Sequence, residues 1–152
     1  MVDLKIKSAF APFGLLPVKY TCDGDNLIPP FEVTSVPPGT KSIAVILEDP
    51  DSPRGIFVHW IAWNLPASGK YPEGMDVASL GGKEGVSSFG EYGYKGPCPP
   101  PGSKHRYFFK FYALNTVLTL DTGTLREGLL AAMKGHILAQ GQLMGKFWKI
   151  DT

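Results

Sequence analysis

Cysteine is scarce, long apolar runs are missing and neither sign of charge prevails, and each shortage removes a class of protein. Two cysteines, Cys22 and Cys98, in 152 residues are too few for the disulfide framework that holds small secreted domains together. No CxxC occurs, and Cys22, Cys98, His59, His105 and His136 have no zinc-like spacing, so no metal or other cofactor is expected. The simplest expectation is two reduced thiols in a reducing compartment. The longest uninterrupted apolar runs, 43–47 and 129–133, are five residues each, against the about 20 that a membrane-spanning helix needs. Residues 1–13 carry Asp3, alternating lysines and Pro12 where a signal peptide would have its apolar stretch, which points to the cytoplasm. Fifteen basic against 14 acidic side chains leave a net charge of +1. A nucleic-acid-binding face carries a clustered basic excess, so nucleic acid is not an expected partner. No GxSxG elbow, HExxH or P-loop pattern occurs, and Ser87 and Ser88 offer only a weak Ser–His–Asp alternative.

Glycine and proline are plentiful, together about a fifth of the chain, so the fold must be rich in turns. Hydrophobic residues at 43% still supply a core, and the length suits one domain over 1–152. Residues 3–8 alternate Leu4 and Ile6 with Lys5 and Lys7, a strand with one wet face; Phe31 and Val33 repeat the pattern weakly. Residues 42–48 and 57–63 are nearly all apolar and β-rich, as strands covered on both faces are. Residues 105–114 and 142–150 read as two more strands. Such a series, with almost no helical period between, predicts an antiparallel β-sandwich with one or two short peripheral helices. One helix is expected at about 124–139, opened by a Thr124/Glu127 capping box and stopped near Gly141. Residues 66–96 are too long and Gly-rich for a simple connection, and loops of that length are often functional.

The candidate chemistry sits at strand ends. Asp49 and Asp51 follow a buried strand, as in haloacid-dehalogenase-type phosphatases, but Pro53 occupies the next partner position and no strand–helix alternation follows. A local Asx turn made rigid by Pro50 and Pro53 is the better reading. His59 lies among apolar neighbours, where a lone histidine is usually a hydrogen-bonded core residue. His105 changes those odds, because it opens a strand directly after the Gly/Pro-rich stretch 93–104 and shares a face with Tyr107, while Arg106 points away. Two imidazoles, a phenol and an aspartate at strand ends suggest a small polar pocket.

With DPDSP (49–53), HWIAWNLPA (59–67), GYKGPCPPPG (93–102) and HRYFF (105–109) in this order, the chain resembles the phosphatidylethanolamine-binding protein family, also called Raf kinase inhibitor-like proteins, in its compact bacterial and archaeal branch. The resemblance implies a β-sandwich with an anion pocket at one end, built from Asp49, Pro53, His59, Gly96, Pro100, His105 and Tyr107. In that picture the protein is not an enzyme. His59 and His105 donate to a phosphate-type anion or phospholipid headgroup, Tyr107 and the Gly96 amide complete the shell, and Asp49 orients an imidazole. The resemblance also allows an interaction with a protease or kinase, implies a homodimer, and leaves a hydrolase using the Asp/His pair as the weakest alternative. The tryptophan of animal members is Phe57 here, and the eukaryotic C-terminal helix has no counterpart after Trp148, which leaves the pocket mouth open or covered by another segment or a second subunit.

Overall fold

The computed structural model describes residues 2–148. Nine strands form in chain order: β1 (Val2–Asp3), β2 (Lys5–Lys7), β3 (Phe31–Thr34), β4 (Ser42–Asp49), β5 (Phe57–Leu65), β6 (Lys70–Tyr71), β7 (Lys83–Glu84), β8 (Lys104–Leu114) and β9 (Ile137–Trp148). One α-helix, α1 (Arg126–Met133), and two 3-10 turns, Val18–Tyr20 and Ala78–Leu80, complete the secondary structure among these residues. The strands make a six-stranded sheet, β1-β9-β8-β4-β5-β7, and a three-stranded sheet, β2-β3-β6; all pairings are antiparallel except β1 with β9.

The apolar pattern explains the layering. All eight residues of β4 are buried, because it lies at the centre of the large sheet with both faces covered. Ile43, Val45 and Leu47 pack with Phe109 and Phe111 against Ile6, Phe31, Val33 and Tyr71 of the small sheet. Phe31 meets Phe109 and Phe111 at ring separations of 5.0 and 5.1 Å. On the opposite face Ala44, Ile46, Ile61 and Trp63 are covered by Leu118 and by Leu129 and Met133 of α1. Side chains alternate between the faces along a strand, so one continuous apolar run serves both clusters.

Four expectations are corrected. The run 3–8 divides between the sheets: β1 joins β9, Leu4 N–H donates to the Gln140 carbonyl at 2.9 Å, and β2 crosses to β3. The helix is half the expected length. Thr124 does not cap it; its carbonyl accepts from Val86 N–H at 3.0 Å, and Leu125 holds the N-cap position with no side-chain bond. What anchors the helix start is Glu48, buried on β4, which accepts from Arg126 Nε at 2.8 Å and pairs with the Lys110 ammonium. The chain leaves the helix at Gly135, whose φ of +84° suits glycine. His136 lies in the turn beyond the helix, and Gly141 is a mid-strand residue opposite Phe111. The strand expected at 142–150 begins earlier, at Ile137, and its Ile150 end lies outside the described residues. The fourth correction is that Cys22 and Cys98 are joined as a disulfide, with Cα atoms 5.4 Å apart across a sequence separation of 76. The Pro-rich stretch folds back on the 21–26 loop, a proximity that two isolated cysteines in a sequence do not announce.

Candidate functional site

In the order β8-β4-β5 the antiparallel neighbours bring the start of β8, the end of β4 and the start of β5 to one edge of the large sheet. A cavity of about 180 Å³ opens there, lined by Asp49, Ser52, Pro53, Phe57, His59, Phe89, Cys98, Pro99, Pro100, His105 and Tyr107. A cavity holds one water once about 10–15 Å³ is open to it, so this one admits a small polyatomic group. Hollows of about 560 and 450 Å³ lie beside the small sheet and beside β1, β8 and β9, but neither is lined by a histidine.

Backbone register explains how His59 reaches the cavity. Glu48 pairs with Val58 and Leu47 with Trp60, so His59 is an extra residue on β5 with no partner on β4. This bulge breaks strict alternation and turns His59 toward the side that Trp60 also faces, whereas Val58 packs on the helix side. The ring is 4% exposed and its Nδ1–H donates to the Lys95 carbonyl at 2.7 Å. A carbonyl only accepts, so the proton sits on Nδ1 and Nε2 is left for the cavity.

Asp49 sets the second imidazole. One carboxylate oxygen accepts from Asp51 N–H at 2.8 Å, the expected Asx turn, and the other accepts from His105 Nδ1–H at 2.5 Å. His105 therefore also keeps Nε2 free. Asp51 binds Arg106 in a fork, with contacts of 2.9 Å from Nε and Nη2 and 2.8 Å from the backbone N–H, which fixes the 50–56 turn to β8. That hydrogen bonding to Arg106 holds the Asp51 carboxyl below the ordinary value of 3.8.

Tyr107 stands between the imidazoles, its ring 5.4 Å from that of His59 and 6.3 Å from that of His105. Burial, reinforced by the charge of Asp49, raises its phenol above the ordinary value of 10.0, so the hydroxyl stays a donor at neutral pH. It has no hydrogen-bond partner among the described residues. Burial also lowers the His59 imidazole from 6.5, against the opposing pull of the Lys95 carbonyl and of Asp49.

Six of the seven residues expected at the site thus line one cavity. Gly96 is the exception, because its N–H donates to Asn26 Oδ1 at 2.8 Å and does not face the cavity. A Cβ there would lie 2.2 Å from the Tyr20 carbonyl oxygen, so the glycine serves close packing of two loops. Neither serine of the Ser–His–Asp alternative is bonded to a ring: Ser87 Oγ accepts from Phe89 N–H and Ser88 Oγ from Val58 N–H.

Residues 6–148 match the phosphatidylethanolamine-binding protein family. The chain belongs to that family. A UPF0098 protein of Archaeoglobus fulgidus is 43% identical over 149 residues, 95% of this chain and 51% of that protein, so the chain spans about half of that relative. Another, from Methanothermobacter thermautotrophicus, is 43% identical over 143 residues and is covered to 94%, with 91% of this chain aligned. The solved structure of a phosphatidylethanolamine-binding protein homologue from Chlamydia trachomatis superposes with a TM-score of 0.89 at 39% identity, covering 97% of this chain and 98% of that one. YbcL of E. coli, a member of the mammalian family, gives 0.87 at 27% identity and covers 99% and 100%.

Within this family frame, five contributors escape a sequence reading: the Lys95 carbonyl, Ser52, Cys98, Pro99 and Phe89. Phe89 comes from the long Gly-rich segment and packs edge-on against Phe57 at 4.8 Å and His59 at 5.5 Å. Its segment was marked by length and glycine content, but nothing marked Phe89 itself as the piece that walls the mouth.

The lowered His59 value makes a pH prediction. A histidine whose folded value lies below its unfolded one contributes stability above about pH 6.5, and that contribution is lost as pH falls through the folded value. Between about pH 7 and about pH 5, His59→Gln should lose about 2–4 °C less in melting temperature than the unsubstituted chain, the equivalent of about 1 kcal/mol. Equal losses in the two proteins would contradict the assignment.

Proposed function

We propose that this chain is a non-enzymatic binding protein of the cytoplasm whose cavity takes a phosphate-type anion, such as a phospholipid headgroup. The observation that carries the reading is the pair of imidazoles pinned through Nδ1, to Asp49 and to the Lys95 carbonyl, on either side of an unpartnered phenol in one small cavity. Each contact between an Nε2 and a phosphate oxygen needs one proton, supplied by the ring as imidazolium or by the ligand as its monoanion. Tyr107 donates a further bond. Phe57, Phe89, Pro53 and Pro100 give the cavity apolar walls, beside which polar contacts are stronger than in open water.

Proton linkage then makes binding pH-dependent, up to about tenfold per pH unit for each proton taken up. Calorimetry at fixed ionic strength should find phosphoethanolamine bound at least about fivefold more weakly at pH 8 than at pH 6, since free histidine and phosphate monoesters both titrate near 6. His105→Ala should weaken binding and flatten this slope, while His136→Ala, at the far turn, should change neither. Equal affinities at the two pH values, or equal losses from the two variants, would remove the reading.

Among the described residues no hydroxyl or thiol is hydrogen-bonded to either imidazole, which supports a site without an activated side-chain nucleophile. Turnover of p-nitrophenyl phosphate and p-nitrophenyl acetate should stay at background. Reproducible turnover that Asp49→Asn abolishes would overturn this part.

The reading includes a homodimer. Ile56 and Trp148, at the strand ends that bear the cavity, and Phe89 of the cavity wall are exposed apolar side chains that a second copy can cover. Light scattering at micromolar concentration should return about twice the chain mass of 16.5 kDa; a monomer would contradict it.

A further inference from the structure

The cavity wall made by Cys98, Pro99 and Pro100 is held differently from the rest of the site. The chain just before it is strapped down: Lys95 N–H donates to the His59 carbonyl at 3.1 Å, Gly96 N–H to Asn26 Oδ1 at 2.8 Å, and the Pro97 carbonyl accepts from Cys22 N–H at 3.1 Å. Beyond Pro97 the prolines have no N–H to donate. Among the described residues no hydrogen bond ties Cys98 or Pro99 to another part of the chain, and Pro100 accepts only a local bond from Ser103 N–H at 3.0 Å. Pro99 is buried by packing, whereas Cys98 is exposed and is held to the 21–26 loop by the disulfide to Cys22. Both cysteines are exposed, so the bond can be reached from solvent. Exposed disulfides are the ones that exchange with thiols most readily, whereas a buried structural bond resists reduction. Neither cysteine belongs to the two apolar clusters that hold the sandwich together.

We propose that the Cys22–Cys98 disulfide is a thiol-exchange site that gates the cavity: a dithiol reductant opens it and frees the wall at 98–100, and reoxidation rebuilds that wall. In the exchange a thiolate of the reductant attacks one protein sulfur and the S–S bond breaks. The second thiol of the reductant then resolves the mixed disulfide. Two electrons pass to the protein, the two protons of the dithiol end on Cys22 and Cys98, and the reductant leaves as its own disulfide. The partner implied is therefore a dithiol, small or protein-borne. This fits a cytoplasmic setting, where the disulfides of most organisms are transient or redox-sensing. The inference rests on the anion reading for what the gated cavity holds, but not for the opening of the wall.

Two readouts on the full chain separate those claims. The first is amide hydrogen exchange at position 103, whose N–H donates to the Pro100 carbonyl of the wall, in the oxidised chain, in the chain reduced by dithiothreitol, and in a Cys22→Ser/Cys98→Ser variant. The second is calorimetry of the same samples with phosphoethanolamine. Exchange at position 103 should rise at least about tenfold on reduction while β4, β5 and β8 keep their protection, and affinity should fall at least about tenfold and return on reoxidation. Unchanged exchange on reduction would overturn the gate. Loss of protection throughout the sheets would also overturn it, by making the bond a global staple. If the oxidised chain binds no phosphoethanolamine while exchange still responds, the anion reading fails and the gate stands. If both forms bind equally with unchanged exchange, the gate fails and the anion reading stands. Because reduction of the unsubstituted chain is read independently, a variant that fails to fold does not stop the test.

Discussion

A carboxylate at the end of a strand buried on both faces must find partners, and the solution found by Asp49 organises everything around the cavity. The residue is 3% exposed. One oxygen takes the Asp51 amide and starts the rigid turn after β4; the other takes His105 Nδ1–H and fixes the orientation of that ring across β4 and β8. Leaving a buried polar group without its hydrogen-bond partner typically costs about 1–3 kcal/mol, and more for a charged group such as this carboxylate. The group that satisfies the fold is therefore also the group that aims an imidazole. Asp51 extends the arrangement outward through its fork with Arg106, so the turn and the strand move as one piece.

His59 reaches a similar state by another route. Its partner is a main-chain carbonyl, and its aim comes from a bulge. Both rings thus present Nε2, but only one has a carboxylate behind it. Tyr107, between them, supplies a proton that burial keeps in place. On the proposed reading the ligand is one that can share protons with these rings, as a phosphate can near neutral pH.

The strands were legible because alternation and apolar runs report directly on which faces are covered; β4 and β5 read as two-sided strands and are buried as such. Asp49, His59, His105 and Tyr107 were legible as chemistry out of place in apolar sequence, and the family resemblance grouped them. Contacts between distant segments were not legible. Thr124 and Glu127 form a local capping pattern that loses to a tertiary use of the Thr124 carbonyl by Val86 and to the ion pair of Arg126 with Glu48. Gly96 reads as a loop amide free for a ligand until Asn26 is seen to take it. The bulge at His59 has no signature in residue type. Cys22 and Cys98, 76 residues apart, carry no mark of being neighbours, and the reduced pair that two cysteines suggest is replaced by a bond in the wall of the site.

The central claim is that Nε2 of both His59 and His105 faces the cavity and shares a proton with a phosphate oxygen. It is tested most directly by nitrogen NMR of the chain labelled with ¹⁵N-histidine, titrated with phosphoethanolamine near neutral pH. The account predicts that both rings carry their proton on Nδ1 without ligand, and that Nε2 of both shifts toward the protonated position as ligand is added, with His136 unmoved. A free protein with either ring protonated on Nε2 alone, or a titration in which neither Nε2 responds, would contradict it.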